Sequence, residues 1–372
     1  MKKLLVIASW FEPNSNVGIF FRKQSEILSE NFEVTMCFPA KESELYPSEK
    51  FKLFSYKQIN TKVSSSFIDR FFAKYQLRKA ANEIYKQGPF DVCIAQNLIS
   101  AGFIAYELKK VYNISYLTIH HNAYTPGLDY FRDNWRIGQI LKNSISNYVV
   151  SNDLLRQFKI AARNENISVI HNPVDISTAY FLNSSKIDKN ITVAISGQFN
   201  TSVKNHQLFF EALNLVDSEF LSDLEVVWLG YNSWGGEVNE EDVKESINKH
   251  SNLIKLNLKL YSSLSKDEMY QILVGSDLYV NTSFTETFGI TSLEAMKLGV
   301  PVLSTQNGGI NEYIKHNVNG ITVNSFEPNR FGKALQDTLK NLDKFNRREV
   351  QVSVENVATR EEFLDILTKA IG

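Results

Sequence analysis

Cysteine is scarce: Cys37 and Cys93 are the only two in 372 residues. Each stands in an apolar run, VTMCF and DVCIA, that reads as a strand, so both are expected as small core residues. A disulfide framework and a cysteine-based zinc site are thereby excluded, and a reducing compartment is implied. Long apolar runs are missing as well. The run LLVIA in the opening MKKLLVIASWFEP is far short of the ~20 residues of a membrane span, and shorter than a signal core, so a first buried strand of a cytoplasmic protein is expected. There is no excess of either charge: 40 basic against 41 acidic side chains give a net charge of -1 and no global field for nucleic acid or an anionic membrane. Nucleic acid is not an expected partner. No low-complexity tract occurs and no period of about 20 to 50 residues repeats, which excludes a solenoid or propeller.

What is present is a composition for packed cores, with 43% hydrophobic and 22% charged residues, on a chain long enough for two domains. Short apolar runs alternate with amphipathic stretches: KLLVIAS leads to GIFFRKQSEILSE, DVCIAQ to SAGFIAYELKKVY, and SNYVVS to NDLLRQFKIAA. That rhythm predicts parallel strands joined by crossover helices. Near HNPVDISTAYFLNSSKIDKN it breaks, then resumes with ITVAISG, LEVVWLG, LIKLNL, DLYVNTS and PVLST as strands. The expected organisation is an α/β N-terminal domain over 1–172, a linker over 173–190 and a second doubly wound domain over 191–354. The last helix, about 355–372, is expected to pack back on the first domain. Two such domains are expected to face one another across a cleft, with ligands outside the carboxyl ends of the strands.

The segment TSFTETFGITSLEAM carries Glu286 and Glu294 on either side of a Phe288–Gly289 pair. DLYVNTS predicts a strand before it, and the apolar spacing Ile290, Leu293, Met296, Leu298 predicts a helix that starts near Gly289 and is ended by Gly299. Free N–H groups and the positive dipole end at such a start suit a phosphate, which Gly289 lets approach the backbone closely. A diphosphate there sends its two attached groups in two directions. One glutamate before the helix and one more than a turn inside it could each accept hydrogen bonds from the hydroxyls of a different sugar. Read singly, Glu286 is equally a loop charge and Glu294 a surface residue of an amphipathic helix.

In this setting ETFGITSLE resembles the E-x7-E motif of retaining GT-B glycosyltransferases, specifically family 4, glycosyl transferases group 1, of the bacterial cell-surface polysaccharide type. The likeness runs through SDLYVNTSFTETFGITSLEAMKLGVPVLSTQNGGINEYIKHNVNGITV, with its Gly308–Gly309 loop and Asn319–Gly320 turn. It implies a GT-B fold of two Rossmann-like domains and a metal-independent, hexosyltransferase-type enzyme. A sugar would pass from a nucleotide-sugar donor, UDP- or GDP-linked, to a hydroxyl of a glycan or lipid-linked acceptor, as in capsule, O-antigen or exopolysaccharide synthesis. It further implies that Glu286 contacts the donor sugar, that Glu294 holds the ribose and that the backbone of Phe288, Gly289, Ile290 and Thr291 binds the distal phosphate. No cofactor and no metal are expected.

The same resemblance places Lys204, in the loop of ITVAISGQFNTSVKNHQLFFEAL, at the diphosphate. The family's usual arginine after that strand is replaced here by Gln198, and losing one of two cations weakens stabilisation of the departing diphosphate. Gly18, between the first strand and helix, stands where the family has a glycine-rich turn beside the donor. Arg22 on the following turn faces either ligand or solvent. SYLTIHH ends a strand with His120 and His121, one of which, His121 by preference, corresponds to the family's histidine near the reacting carbon. The pair is not a metal site, since neighbours at a strand end point in different directions and no third ligand is evident. HNPVD resembles the hinge signature and is read as structural. FKLFSYK and SSSFIDRFFAKYQLRK, with Phe67, Phe71, Phe72 and Tyr75, offer peripheral contact with the inner membrane on its cytoplasmic face, or equally a core face. Two rival readings are a nucleotide-sugar 2-epimerase, which needs no acceptor, and a non-catalytic nucleotide-sugar-binding subunit, favoured by Gln198.

Overall fold

The computed structural model describes residues 1–13, 17–58, 67–122, 135–162, 166–176, 180, 190–199, 201–232 and 238–372. They form two units, Met1–Pro173 with Arg360–Gly372, and Val174–Thr359.

Unit 1 contains β1 (Lys3–Ala8), α1 (Ile19–Leu28), β2 (Glu33–Ala40), β3 (Leu45–Tyr46), β4 (Lys52–Lys57), α2 (Phe67–Tyr85), β5 (Val92–Gln96), α3 (Phe103–Tyr112), β6 (Ser115–His120), α4 (Trp135–Asn143), β7 (Asn147–Val149), α5 (Asn152–Ala162) and β8 (Ser168–Val169). The sheet order is β3-β4-β2-β1-β5-β6-β7-β8, parallel except for the β3–β4 pair. The central strands are apolar on both faces because helices cover both, and Leu5, Val6, Ile7, Cys93 and Ile94 are fully buried. Both cysteines are free thiols in this core. Gly18 caps the start of α1 in a left-handed conformation, φ 71° and ψ 15°.

Unit 2 contains β9 (Ile191–Ser196), α6 (His206–Leu213), α7 (Ser218–Ser222), β10 (Leu224–Leu229), α8 (Glu240–Asn248), β11 (Asn257–Tyr261), α9 (Lys266–Gly275), β12 (Leu278–Asn281), α10 (Ile290–Lys297), β13 (Val302–Thr305), β14 (Gly320–Val323), α11 (Pro328–Lys340) and α12 (Arg347–Val352). Its parallel sheet runs β11-β10-β9-β12-β13-β14. The order in which strands are added reverses between the parallel neighbours β9 and β12, a topological switch point at whose carboxyl ends the loops after the two strands meet, the Phe284 amide bonding the Val203 carbonyl at 2.8 Å. Beneath it Trp228 packs with Phe209, Phe210, Val226 and Phe331 in one cluster. The terminal α13 (Arg360–Ile371) belongs to unit 1, where Asn31 bonds Thr368 at 3.3 Å and the Lys2 ammonium bonds the Ile371 carbonyl at 2.9 Å.

Two expectations are corrected. LIKLNL is not a strand from its start: Leu253 ends a short helical turn, Ile254 is solvent-exposed, and β11 begins only at Asn257. A run with apolar residues at every second or third position fits either element, and here the turn takes its first half. FKLFSYK does not offer its aromatics to a membrane, because Phe51, Phe54 and Tyr56 are core residues of and beside β4. Of the second stretch, Tyr75 is exposed on α2, whereas the side chains of Phe67, Phe71 and Phe72 lie outside the described residues. Among the described residues no helix is long and apolar enough to cross a membrane.

Candidate functional site

The loop after β12 is fastened to the loop after β13 by backbone. The Glu286 amide donates to the Asn307 carbonyl at 2.7 Å, and the Gly309 amide returns to the Glu286 carbonyl at 3.0 Å. This contact is too close for any side chain at position 309, where a Cβ would lie 2.2 Å from the Thr287 carbonyl oxygen. Asn281 ties the layer together. Its Oδ1 accepts from the Ser283 amide and the Asn307 side chain, both at 3.0 Å, while its Nδ2 donates to Ser292 Oγ at 3.2 Å.

Into this frame Glu286 projects a nearly buried carboxylate. Lys204 Nζ donates to its Oε1 at 2.6 Å, Ser283 Oγ at 2.9 Å and Asn281 Nδ2 at 3.4 Å. Burial pushes the carboxyl pKa up, but the Lys204 charge and these donors reverse the effect and hold it below the ordinary carboxylate range. Among the described residues every donor converges on Oε1, so Oε2 retains its acceptor capacity. Lys204 comes from the loop after β9, the other side of the switch point, so the sheet topology itself creates the pair.

The next element is the start of α10. Gly289 is its N-cap, with φ 76° and ψ 51°, a left-handed conformation that costs other residues strain. A Cβ there would also lie 2.7 Å from the Tyr313 hydroxyl. That hydroxyl lies 2.9 Å from the Phe288 carbonyl and 2.7 Å from the Gly289 carbonyl, pinning the turn from behind. Phe288 is buried, with its ring edge-on to Tyr313 at 5.6 Å, while Ile290 and Thr291 are half-buried. The first N–H groups of α10 have no intrahelical acceptor, and Lys204 stands close by through Glu286, so an anion here meets donors, dipole and cation together.

Glu294 lies on the second turn of α10, buried to 2% exposure. Lys266 Nζ bonds its two oxygens at 2.7 and 3.0 Å, and the Tyr270 hydroxyl donates to Oε1 at 2.8 Å. Both partners come from α9, whose first turn is held by a capping box between Ser265 and Glu268. Burial and the neighbouring carboxylate push the Tyr270 hydroxyl pKa well up, so it remains a donor.

Gln198 is half-buried just beyond β9, and its carbonyl accepts from Thr201 Oγ1 at 2.5 Å. In unit 1, His120 and His121 are both buried and diverge: His120 packs on Phe158 at 4.8 Å, His121 on Phe20 and Phe21 at 4.9 and 5.3 Å. His121 Nε2 lies 2.6 Å from Gln96 Oε1, Gln96 donates on to Gln24 at 2.8 Å and Gln24 to Asn172 at 2.8 Å. Asn172 of HNPVD therefore ends a buried amide chain that begins at His121. Burial pushes His120 down to about 3 and His121 well below the ordinary imidazole value, so both are neutral hydrogen-bonding groups near neutral pH. Arg22 forms a half-exposed pair with Glu26 at 3.5 Å.

The structure thus gathers Lys204, Glu286, Phe288, Gly289, Ile290, Thr291 and Glu294 at the switch point of unit 2, with Gln198 on the loop after β9. In unit 1, Gly18 stands at the start of α1, and His120 and His121 at the end of β6. Sequence reasoning missed Lys266, Tyr270 and Tyr313. For Lys266 and Tyr270 a signal existed: S-x-x-E in SKDE marks a helix start, and with the helix known, Lys266 and Tyr270 fall at i and i+4 on one face. Tyr313 comes from a distant turn and left no local signal. Among the described residues no group of three or more His, Cys, Asp or Glu is placed to hold a metal ion.

Residues 179–351 match the family Glycosyl transferases group 1. Sucrose synthase 2 of Pisum sativum is 27% identical over 174 residues, which is 44% of this chain and 20% of that protein; the match thus spans about a fifth of such relatives. Sucrose-phosphate synthase from Thermosynechococcus elongatus superposes with a TM-score of 0.79 at 14% identity, over 99% of this chain and 98% of the other. Anabaena HepE in complex with UDP-glucose superposes with a TM-score of 0.73 at 15% identity, over 100% and 99%. The second unit therefore carries a Glycosyl transferases group 1 domain, and the fold is GT-B, α/β with parallel sheets in two Rossmann-like units.

Proposed function

We propose that this protein is a retaining, metal-independent glycosyltransferase of family 4 that moves a hexosyl group from a nucleotide-sugar donor to an acceptor hydroxyl. One observation carries the reading. Two buried carboxylates, each already held by its own lysine, flank a glycine-capped helix start, which is the polarity pattern of a diphosphate with a sugar at each end. The family match over 179–351 supports it, as does the likeness to HepE, whose structure contains UDP-glucose.

In this mechanism the N–H groups at Ile290 and Thr291 and the Lys204 ammonium stabilise negative charge as the bond between anomeric carbon and phosphate oxygen breaks. The acceptor oxygen forms its bond on the same face, and its proton passes to the departing phosphate oxygen, so no enzymic nucleophile is needed. Glu286 orients the sugar through Oε2, and Glu294 holds the ribose. The free, buried Cys37 and Cys93 accord with a cytoplasmic setting, and a glycan or lipid-linked acceptor of the polysaccharide type completes the reaction.

A second reading, a subunit that binds donor without transfer, is favoured by Gln198 in the place of the family arginine. One experiment separates the two: thermal shift and donor hydrolysis with UDP-, GDP- and ADP-sugars in the absence of metal, with Glu294→Ala as control. Stabilisation by one nucleotide series, lost in the variant and accompanied by hydrolysis or transfer, supports the enzyme. Stabilisation without turnover supports the subunit, and no shift with any donor sinks both.

A further inference from the structure

Glu294 is an unusual ligand for a neutral sugar because most of its acceptor positions are already filled. A carboxylate offers about four lone-pair positions. Lys266 and Tyr270 together occupy Oε1, and Lys266 takes one position on Oε2. Among the described residues these are its donors, so one acceptor position remains, on Oε2. Lys266 spends two of its three N–H groups on the carboxylate, so one N–H is uncommitted to Glu294 on an ammonium that lies 3.0 Å from that open oxygen and 5.7 Å from the centre of the Tyr270 ring. The lysine side chain is 23% exposed and the glutamate side chain 3%, so the ammonium is the wetter half of the pair.

We propose that Lys266 and Tyr270 are specificity-determining residues for the ribose. They fix Glu294 so that Oε2 accepts from one hydroxyl of a vicinal diol, while the remaining Lys266 N–H donates to the neighbouring hydroxyl oxygen. An acceptor and a donor side by side match two adjacent hydroxyls, whereas a bare carboxylate would draw any two donors. The tie to α9 adds rigidity: the capping box anchors Lys266 at the helix start, and Tyr270 stands one turn further along the same face. The inference rests on the reading of Glu294 as the ribose ligand, and it concerns discrimination between ribose and deoxyribose.

The test is a calorimetric or thermal-shift comparison of UDP, GDP and ADP with their 2′-deoxy and 3′-deoxy forms, for wild type, Lys266→Met, Lys266→Arg, Tyr270→Phe and Glu294→Ala. Wild type should bind the ribonucleotide roughly 10-fold or more tighter than a deoxy form, the loss expected when hydrogen bonds to charged groups go unmade. Lys266→Met should compress that ratio to within about 3-fold, Tyr270→Phe should reduce it less, and Lys266→Arg should restore much of it. A Lys266→Met protein that is folded by its melting transition and keeps the wild-type ratio overturns the proposal. Should Lys266→Met melt early, Tyr270→Phe decides instead: a ratio unchanged from wild type overturns it. If wild type binds nucleotide but does not discriminate, or Glu294→Ala discriminates equally well, it is the assignment of Glu294 to the ribose that fails.

Discussion

At the carboxyl end of β6 the chain buries two imidazoles among amides and aromatic rings; at the carboxyl end of β12 it buries a carboxylate against an ammonium, and α10 beside it repeats the pairing. Burial acts in the same sense at both places, against the charged form. At His120 and His121 little opposes it, and both rings are held neutral. At Glu286 the Lys204 charge overturns it, and the carboxylate is held ionised. Neighbours, and not depth, therefore decide where this fold keeps its charges. In unit 2 charge is kept beside a helix start suited to an anion, while unit 1 offers neutral donors and acceptors suited to hydroxyls.

The largest expected break of this contrast is Lys204→Met. It removes the cation that holds Glu286 and that, in the proposed reaction, serves the leaving diphosphate, and should lower kcat about 10²- to 10³-fold in a sugar-transfer or donor-hydrolysis assay. A loss of less than about 5-fold would mean that the helix start alone carries the charge. Next in size is Gly309→Ala. Its Cβ would collide with the Thr287 carbonyl, so unfolding in urea should show a loss on the order of 3 kcal/mol, and a change below about 1 kcal/mol would show that the two loops can separate.

The neutral cluster of unit 1 is sharpened by pH. His120 has its folded pKa pushed down to about 3, below an unfolded value of about 6.5. Its contribution is fully present above pH ~6.5 and is lost as the pH falls toward the folded value, because the unfolded chain takes up a proton that the native state refuses. By pH 5 this amounts to roughly 2 kcal/mol for that one group. His120→Asn should flatten the stability profile of unit 1 between pH 6.5 and 5, and an unchanged slope would place the acid sensitivity elsewhere. Glu286 titrates with the other logic. Its lowered pKa contributes stability above the unfolded value of 4.5, which is lost only as the pH falls further through the folded one.

What could be read from the residues alone follows the range of the interactions involved. Helix α10, its Gly289 start and Gly299 end were legible because caps and apolar spacing are local signals, and Glu286 and Glu294 were legible because they bracket that start. The parallel-sheet fold was legible from alternating short apolar runs. The partners were not: Lys204 meets Glu286 across 82 positions and Lys266 meets Glu294 across 28, and periodicity within one element says nothing about such pairings. The chain from His121 through Gln96 and Gln24 to Asn172 joins two loop positions, a strand end and a helix, and buried glutamines carry no pattern of their own. LIKLNL was misread for the opposite reason, because a short apolar run fits a strand and a turn equally well.

Gln198 tests the contrast most finely, and with the smallest expected effect. It stands where the resemblance expects a second cation, yet unit 2 meets the expected diphosphate with Lys204, whose ammonium is committed to Glu286 at 2.6 Å. The Gln198 backbone is fixed through Thr201, so a longer side chain there would start from a set position. Gln198→Arg should add a charge-assisted bond to phosphate at a half-buried position and tighten nucleoside diphosphate binding about 3- to 10-fold, on the order of 1 kcal/mol. The gain should shrink as salt is raised, since a half-exposed charge is screened. If binding tightens while sugar transfer does not rise, the cation acts on ground state and transition state alike, and Gln198 is a difference in affinity and not a defect in catalysis. If both are unchanged, Lys204 and the start of α10 already neutralise the diphosphate, and charge at this crevice is set by the two lysine–glutamate pairs alone.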